Sequence, residues 1–140
     1  MSYANEIGRI GERMTADFLR KNGYIIVTQN YHTKYGELDI VAENPSELVF
    51  VEVKTRRHGS IVAPADAVDN AKQRKLAISA EIFAKRLHHT GSYRFDIAEV
   101  VYKKSEDGLF SFSLNYIKKR ICCRYCANLL KCFDIMRRMV

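Results

Sequence analysis

The strongest constraint on the fold is the stretch from residue 36 to residue 57, GELDIVAENPSELVFVEVKTRR. Two runs rich in Val, Leu, Ile and Phe stand on either side of an Asn-Pro turn, which is the pattern of a β-hairpin. Asp39, Glu52 and Lys54 interrupt those runs at positions where apolar or neutral residues are favoured. The chain is therefore expected to form a hairpin that carries charges within its strands.

The turn predicts the register of this hairpin. If the loop is NPSE, the opposed pairs are Glu43 with Leu48, Val41 with Phe50, Asp39 with Glu52, and Glu37 with Lys54. Each opposed pair shares one face of the sheet. The other face should be a continuous apolar layer, made of Leu38, Ile40, Ala42, Val49, Val51 and Val53.

The expected opposition of Asp39 and Glu52 needs a physical reason, because two facing carboxylates repel and the cost rises with burial. A divalent cation between them relieves the repulsion, since Mg²⁺ takes oxygen ligands and uses one or two protein carboxylates. The alternative is an ion pair between Glu37 and Lys54, with Asp39 and Glu52 merely exposed to solvent. That alternative leaves the opposed pair unexplained, so the pattern favours a metal site.

The segment before the hairpin, ANEIGRIGERMTADFLRKNGY, predicts an amphipathic helix that ends at Gly23. Glu12 lies at the border of its apolar stripe, beside the small residues Gly8 and Ala16. Small neighbours allow another backbone to approach this carboxylate. Taken alone, Glu12 is more simply interpreted as a solvated surface residue.

The remaining patterns predict an α/β domain with elements in the order α-β-β-β-α-β-β. GYIIVTQNY is expected to be a strand, residues 66–88 a second helix, and YRFDIAEVVY and LFSFSLNYI two more strands. Arg94 and Asp96 are expected to form a structural pair at the start of a strand. This domain should span residues 1–117, followed by a tail over residues 118–140.

The formal charge of +7 comes mostly from that tail, which holds seven Lys or Arg residues and one acidic residue. Residues 1–117 carry 16 basic and 15 acidic groups, so DNA binding by the domain depends on local clusters.

The N-terminal residues lack the apolar core of a signal peptide, and no apolar run is long enough to span a membrane. A cytoplasmic location is therefore expected.

All the cysteines lie in the tail, within ICCRYCANLLKC. A single Cys-x-x-Cys without a second pair is weak support for zinc, so reduced thiols and no stoichiometric zinc are expected. Apolar residues at helical spacing predict a basic amphipathic helix in the tail. Such a helix could pack on the domain, bind an acidic surface or pair two copies of the chain as a homodimer.

Asp39 followed by EVK at residues 52–54 resembles the signature of the PD-(D/E)XK nuclease superfamily. More closely, GRIGERMTADFLRKNGYIIVTQNY, GELDIVA, LVFVEVKTR and RFDIAEV together resemble the YraN family, which is related to archaeal Holliday-junction resolvases. The resemblance covers roughly residues 5–102. It implies a restriction-endonuclease-like fold, with a mixed central sheet flanked by helices.

The resemblance also implies an activity, the metal-dependent hydrolysis of phosphodiester bonds in structured or branched DNA. Asp39 and Glu52 would hold Mg²⁺ or Mn²⁺, the backbone carbonyl of Val53 would be a further ligand, and Glu12 would complete the acidic cluster. Lys54, on the same side of the strand as Glu52, would orient the nucleophile or stabilise the transition state.

Basic residues near this centre are candidates for contacts with DNA phosphates. They are Arg56, Arg57 and His58 after the second hairpin strand, and Lys72 and Lys75 at the start of the second helix. Each alone is more simply an ordinary solvated side chain, and the cluster is what favours binding. Two other function classes stay open at this point: a non-catalytic nucleic-acid-binding module of the same fold, and an adaptor that acts through its basic tail.

Overall fold

The computed structural model describes residues 2–60, 70–89 and 91–119. Within these ranges the chain forms two helices and one sheet of five strands, an α/β arrangement. The elements in chain order are α1 (Tyr3–Lys21), β1 (Ile25–Thr33), β2 (Gly36–Glu43), β3 (Glu47–Arg57), α2 (Asn70–Arg86), β4 (Ser92–Lys104) and β5 (Phe110–Lys119).

The sheet is mixed, and its strands lie side by side in the order β1-β2-β3-β4-β5. Neighbouring strands are antiparallel except β3 and β4, which are parallel. A parallel step needs a long crossover connection, and α2 lies in the connection between these two strands. The second helix, which the sequence predicts from residue 66, is described from Asn70.

The predicted boundary between domain and tail falls inside β5. This strand continues to Lys119, and Lys118 is in register with Asp96 of β4. A truncated protein that keeps the whole sheet therefore has to include residue 119. The predictions for the cysteines and for the tail helix concern residues 120–140 and lie outside the described residues.

Each face of the sheet carries a buried apolar cluster. The cluster on the α1 side contains Ala16, Leu19, Tyr24, Ile40, Ala42, Val49, Val51 and Ala98. The cluster on the α2 side contains Leu38, Val41, Leu48, Phe50, Ala77, Ala80, Phe83 and Ala84. The central strands β2 and β3 contribute to both clusters, so burial fixes which side chains point to which helix.

The hairpin register agrees with the prediction over four pairs, Ile40 with Val51, Val41 with Phe50, Ala42 with Val49, and Glu43 with Leu48. The expected face of Leu38 is wrong, because Leu38 packs in the cluster on the α2 side. The alternation breaks at Asp39. Asn30 lies between the β1 residues that pair with Ile40 and Leu38, and it has a left-handed φ of 51°.

Helix α1 lies very close to the sheet at Gly11. A Cβ atom at this position would lie 2.1 Å from Oγ1 of Thr55 on β3, which is far inside van der Waals contact. The Thr15 hydroxyl donates a hydrogen bond of 2.8 Å to the Gly11 carbonyl and is fully buried. Glycine at this position therefore sets the distance between α1 and β3.

We expect Gly11→Ala to destabilise the protein by about 1–3 kcal/mol, because the added methyl group has to displace α1 or Thr55. Gly8→Ala is the matched control, since a Cβ at Gly8 meets nothing within 4 Å and alanine favours the helix. Urea denaturation of both variants measures the difference. Equal stabilities of the two variants would contradict the close approach, and adding Thr55→Ala to Gly11→Ala should restore part of the loss.

Candidate functional site

The candidate site lies where β2 and β3 separate. Their ladder ends at the pair Ile40 and Val51, one step before the predicted pairing of Asp39 with Glu52. Beyond this point, Oδ2 of Asp39 accepts a hydrogen bond of 2.8 Å from the Val53 backbone N–H. The N–H and C=O of one strand residue point toward the same neighbour, so the Val53 carbonyl faces the same gap. The Asp39 carboxylate thus lies between the two diverging strands.

The Asp39 carboxylate is in an unfavourable environment for a negative charge. Burial raises its pKa most, and the charges of Glu52, Glu12 and Glu37 raise it further, while the Val53 N–H opposes the shift. The result is a pKa of about 7 in place of the ordinary 3.8. Excess negative charge at a half-buried position is the electrostatic condition that a bound cation relieves.

This shift predicts how stability depends on pH. The folded-state pKa of Asp39 is raised, so the folded protein favours the protonated carboxyl group. The contribution of Asp39 to the free energy of unfolding is therefore fully present below the ordinary pKa of 3.8 and is lost as the pH rises through about 7. In chelator, we expect Asp39→Asn to be more stable than the wild type by roughly 1–3 kcal/mol at about pH 8. The difference should shrink toward about pH 5, where Asp39 is protonated. Urea denaturation at several pH values measures it, and a pH-independent difference would contradict the environment described for Asp39.

Glu52 and Lys54 lie on one face of β3, two residues apart, and form an ion pair with 3.1 Å between Nζ and Oε1. The Glu52 side chain is only 13% exposed. The alternative pairing of Lys54 with Glu37 is not formed among the described residues: Lys54 pairs with Glu52, and Glu37 lies 3.6 Å from the His32 ring. Lys54 is therefore held against one of the two carboxylates of the candidate site.

Glu12 approaches the site from α1. Its Oε2 accepts a hydrogen bond of 3.3 Å from the side-chain amide of Asn30, and its charge contributes to the raised pKa of Asp39. In this arrangement Glu12 acts on Asp39 through its charge. The role of Glu12 as a metal ligand stays a prediction.

Within the part of the chain that the structure describes, no three His, Cys, Asp or Glu side chains are grouped as a ready metal site. Mg²⁺ does not require three, because it binds through one or two carboxylates and keeps several waters. Asp39 and Glu52, with the Val53 carbonyl facing the same gap, supply hard oxygen donors of this kind. The donor set fits Mg²⁺ or Mn²⁺.

The basic residues after Lys54 differ in their contacts. Arg56 forms an ion pair with Glu99 of β4, so much of its charge is balanced within the sheet. Arg57 and His58 are exposed, and the His58 N–H donates a hydrogen bond of 2.8 Å to the Tyr102 carbonyl. The two exposed side chains are thus presented at the end of β3.

Residues of α2 lie near the start of β2. The Cβ of Lys75 is 3.8 Å from the position that a Cβ on Gly36 would occupy, and Lys75 is exposed. Lys75 therefore lies beside the strand that carries Asp39. The Lys72 side chain is outside the described residues.

Sequence reasoning missed a buried polar network on the α1 side of the sheet. The Arg94 guanidinium donates to Asp96 at 2.9 and 3.0 Å and to the Tyr24 hydroxyl at 2.9 Å, and it also pairs with Glu47. The Tyr116 hydroxyl donates to Asp96 at 2.7 Å. Burial alone lowers the pKa of Arg94, but its bonds to Asp96 and Tyr24 raise it above its ordinary value. The predicted structural pair of Arg94 and Asp96 is confirmed, within a larger network.

Comparison with known proteins places the chain in a family. Residues 11–100 match the model of the uncharacterised protein family UPF0102. The chain belongs to the UPF0102 family. A UPF0102 protein of Dictyoglomus thermophilum is 43% identical over 101 residues, which cover 71% of this chain and 86% of that protein. A UPF0102 protein of Clostridium botulinum strain 657 is 38% identical over 104 residues, covering 72% and 85%.

The UPF0102 match includes α1 from Gly11 onward and the strands that carry the candidate site. It ends at residue 100, ahead of β5 and the tail. No helix in the described ranges of this UPF0102 protein has the length and apolar character of a membrane span. The matched range thus contains Glu12 of α1 as well as the candidate residues of β2 and β3.

Proposed function

We propose that this UPF0102 protein is a metal-dependent nuclease of the PD-(D/E)XK type, which hydrolyses phosphodiester bonds in structured or branched DNA in the cytoplasm. The observation that carries the proposal is the gap between β2 and β3. There the Asp39 carboxylate bonds to the Val53 N–H, beside the buried Glu52 and its partner Lys54. Two coupled carboxylates and a lysine at one opening in a sheet suit phosphoryl chemistry better than they suit stability.

In this proposal Asp39 and Glu52, with the Val53 carbonyl, would hold Mg²⁺ or Mn²⁺, which when bound lowers the pKa of a water and polarises the phosphodiester. Lys54 provides a positive charge that Glu52 holds in place. That charge can orient the attacking water or stabilise the negative charge that develops on the phosphate. Asp39 has to be deprotonated to act as a ligand, so its raised pKa makes metal binding dependent on pH.

Exposed basic side chains around the gap would bind the DNA backbone. Arg57 and His58 follow the metal-binding strand, and Lys75 lies beside the start of β2. Contacts of this kind are independent of sequence and sensitive to salt. Recognition of DNA shape, and not of base sequence, is therefore the expected mode.

A cleavage assay tests the proposal. Labelled linear, flapped and four-way DNA of matched length should be incubated with the purified full chain, with Mg²⁺, with Mn²⁺ and with chelator. We expect cleavage of at least one branched substrate that depends on the metal. Binding to all substrates without cleavage in either metal would instead support the non-catalytic nucleic-acid-binding module.

A further inference from the structure

A group of aromatic rings lies outside the candidate site, and we call it the aromatic surface: the exposed Tyr3 and Phe110, and the half-buried Tyr102 and Phe112. The centroid distances are 5.9 Å for Tyr3 to Phe110, 6.4 Å for Phe110 to Phe112, and 6.1 Å for Tyr102 to Phe112. Tyr3 is 55% exposed and Phe110 is 38% exposed. The rings form a contiguous patch accessible to a ligand.

The fold explains why these rings lie together at the surface. Tyr102 is in register with Phe112 across β4 and β5, and the same face of β5 carries Leu114 and Tyr116, which pack under α1. Helix α1 begins at Tyr3, so beyond this residue the helix no longer covers the sheet. The aromatic surface is thus the part of the α1 side that extends past the helix.

The aromatic surface is continuous with the strand of the candidate site. Arg57 is the register partner of Tyr102 in the parallel ladder between β3 and β4. From Val53 to Arg57 is four residues of extended strand, about 13 Å at roughly 3.3 Å per residue. Val53 and Arg57 face the α1 side, as the rings do, whereas Glu52 and Lys54 face the α2 side. A nucleic acid strand bound at the gap between β2 and β3 would reach the rings by passing the end of β3.

Positive charges lie directly beside the rings. The Lys104 ammonium is 5.5 Å from the centroid of the Phe110 ring, and the exposed Arg57 shares the face of Tyr102. The acidic neighbours are Glu6 on α1, and Glu106 and Asp107 in the turn after β4. Asp107 accepts hydrogen bonds from Ser105 and from the Leu109 N–H, which lower its pKa and hold it in the turn. The cations contact or flank the rings, while the Asp107 carboxylate is bonded within the turn.

We propose that the aromatic surface binds the unpaired bases of a single-stranded nucleic acid segment. The exposed Tyr3 and Phe110 stack on the bases, Phe112 and Tyr102 support them from below, and Arg57 and Lys104 contact the phosphates. Every base has a π-face, so this binding tolerates any sequence. The inference rests on the proposed nuclease function for its context, and it gives the substrate class as DNA that carries an unpaired segment.

The test measures binding by the full chain in chelator, so that no cleavage occurs. Fluorescence anisotropy compares a labelled oligothymidylate with a blunt duplex of the same length. We expect Phe110→Ala and Tyr3→Ala each to weaken oligothymidylate binding by roughly 5- to 100-fold, the range for loss of one stacked base. Duplex binding should change less than about twofold, because the duplex offers no unpaired bases.

Two further variants separate stacking from general apolar contact. Phe110→Leu keeps apolar volume without a π-system and should weaken binding nearly as much as Phe110→Ala. Leu109→Ala removes an apolar side chain that is 69% exposed, next to Phe110 in the chain, and should leave binding unchanged. Full affinity in Phe110→Ala or in Phe110→Leu would overturn the proposal.

Sedimentation velocity measures whether the aromatic surface instead binds a second copy of the chain. A wild-type dimer that Phe110→Ala converts to monomers, with oligothymidylate affinity retained, would overturn the proposal and make the aromatic surface an interface between copies.

Failure of the proposed nuclease function gives a different result from failure of this binding site. Absence of cleavage in any metal, with Phe110-dependent oligothymidylate binding intact, removes that function and leaves the binding site standing.

Discussion

Asp39→Asn and Glu52→Gln are each expected to reduce metal-dependent DNA cleavage by at least about a hundredfold, while leaving the metal-free protein at least as stable as the wild type. Activity falls because each variant loses a carboxylate ligand. Stability is kept because each variant also removes one of two coupled charges at a half-buried position. Activity and stability should therefore change in opposite directions.

The measurements are cleavage of the branched substrate in Mg²⁺, Mg²⁺ titration by calorimetry, and urea denaturation in chelator. Lys54→Ala is the matched comparison, because it should lose cleavage and still bind Mg²⁺. Asp17→Asn is the control, since Asp17 forms an exposed pair with Arg20 on α1 and should leave cleavage unchanged. If both carboxylate variants unfold well below the wild type in chelator, the coupled-pair interpretation of Asp39 and Glu52 is wrong.

Asp96→Ala is expected to lower the free energy of unfolding by about 3–5 kcal/mol, the largest stability effect that we predict. Asp96 is fully buried, and it accepts hydrogen bonds from Arg94 and from the Tyr116 hydroxyl. Removing the carboxylate leaves the buried guanidinium with less compensation and leaves the Tyr116 hydroxyl without its acceptor.

Urea denaturation checks this second prediction. Asp17→Ala serves as its control, because an exposed ion pair contributes at most about 1 kcal/mol. If Asp96→Ala proves insoluble, Tyr116→Phe gives a milder test, since it removes one hydrogen bond to Asp96 and should cost about 1–2 kcal/mol. A loss below about 1 kcal/mol in Asp96→Ala would show that the network contributes little to stability.

The hairpin shows which features of the fold are readable from sequence. Its register follows from the turn and from the alternation of apolar residues, both of which are local, and the four pairs from Ile40 to Glu43 agree with the prediction. Leu38 departs from its predicted face next to the point where Asn30, on β1, has a left-handed conformation. Asparagine tolerates that conformation better than most residues, but the pairing of β1 with β2 is not readable from the local pattern of the hairpin.

The candidate site was predictable to a similar extent. Asp39, Glu52 and Lys54 stand out because charges inside apolar strands are unfavourable without a partner, whatever the tertiary contacts. The partners of Arg94 other than Asp96 could not be predicted in the same way. Tyr24 and Glu47 lie far from it in sequence, and each alone resembles an ordinary surface residue.

The parallel step of the sheet has a consequence for folding. The register partners of β3 and β4 lie 45 residues apart, as Glu47 and Ser92 do, whereas β2 and β3 are joined by a tight turn. Closing the longer loop costs more chain entropy, so the hairpin can form early and β4 joins it later. Beyond Val51 the ladder with β2 has ended, and β3 is held in the sheet through β4. We therefore expect the segment from Glu52 to Arg57 to acquire its structure later in folding than the hairpin that supplies Asp39.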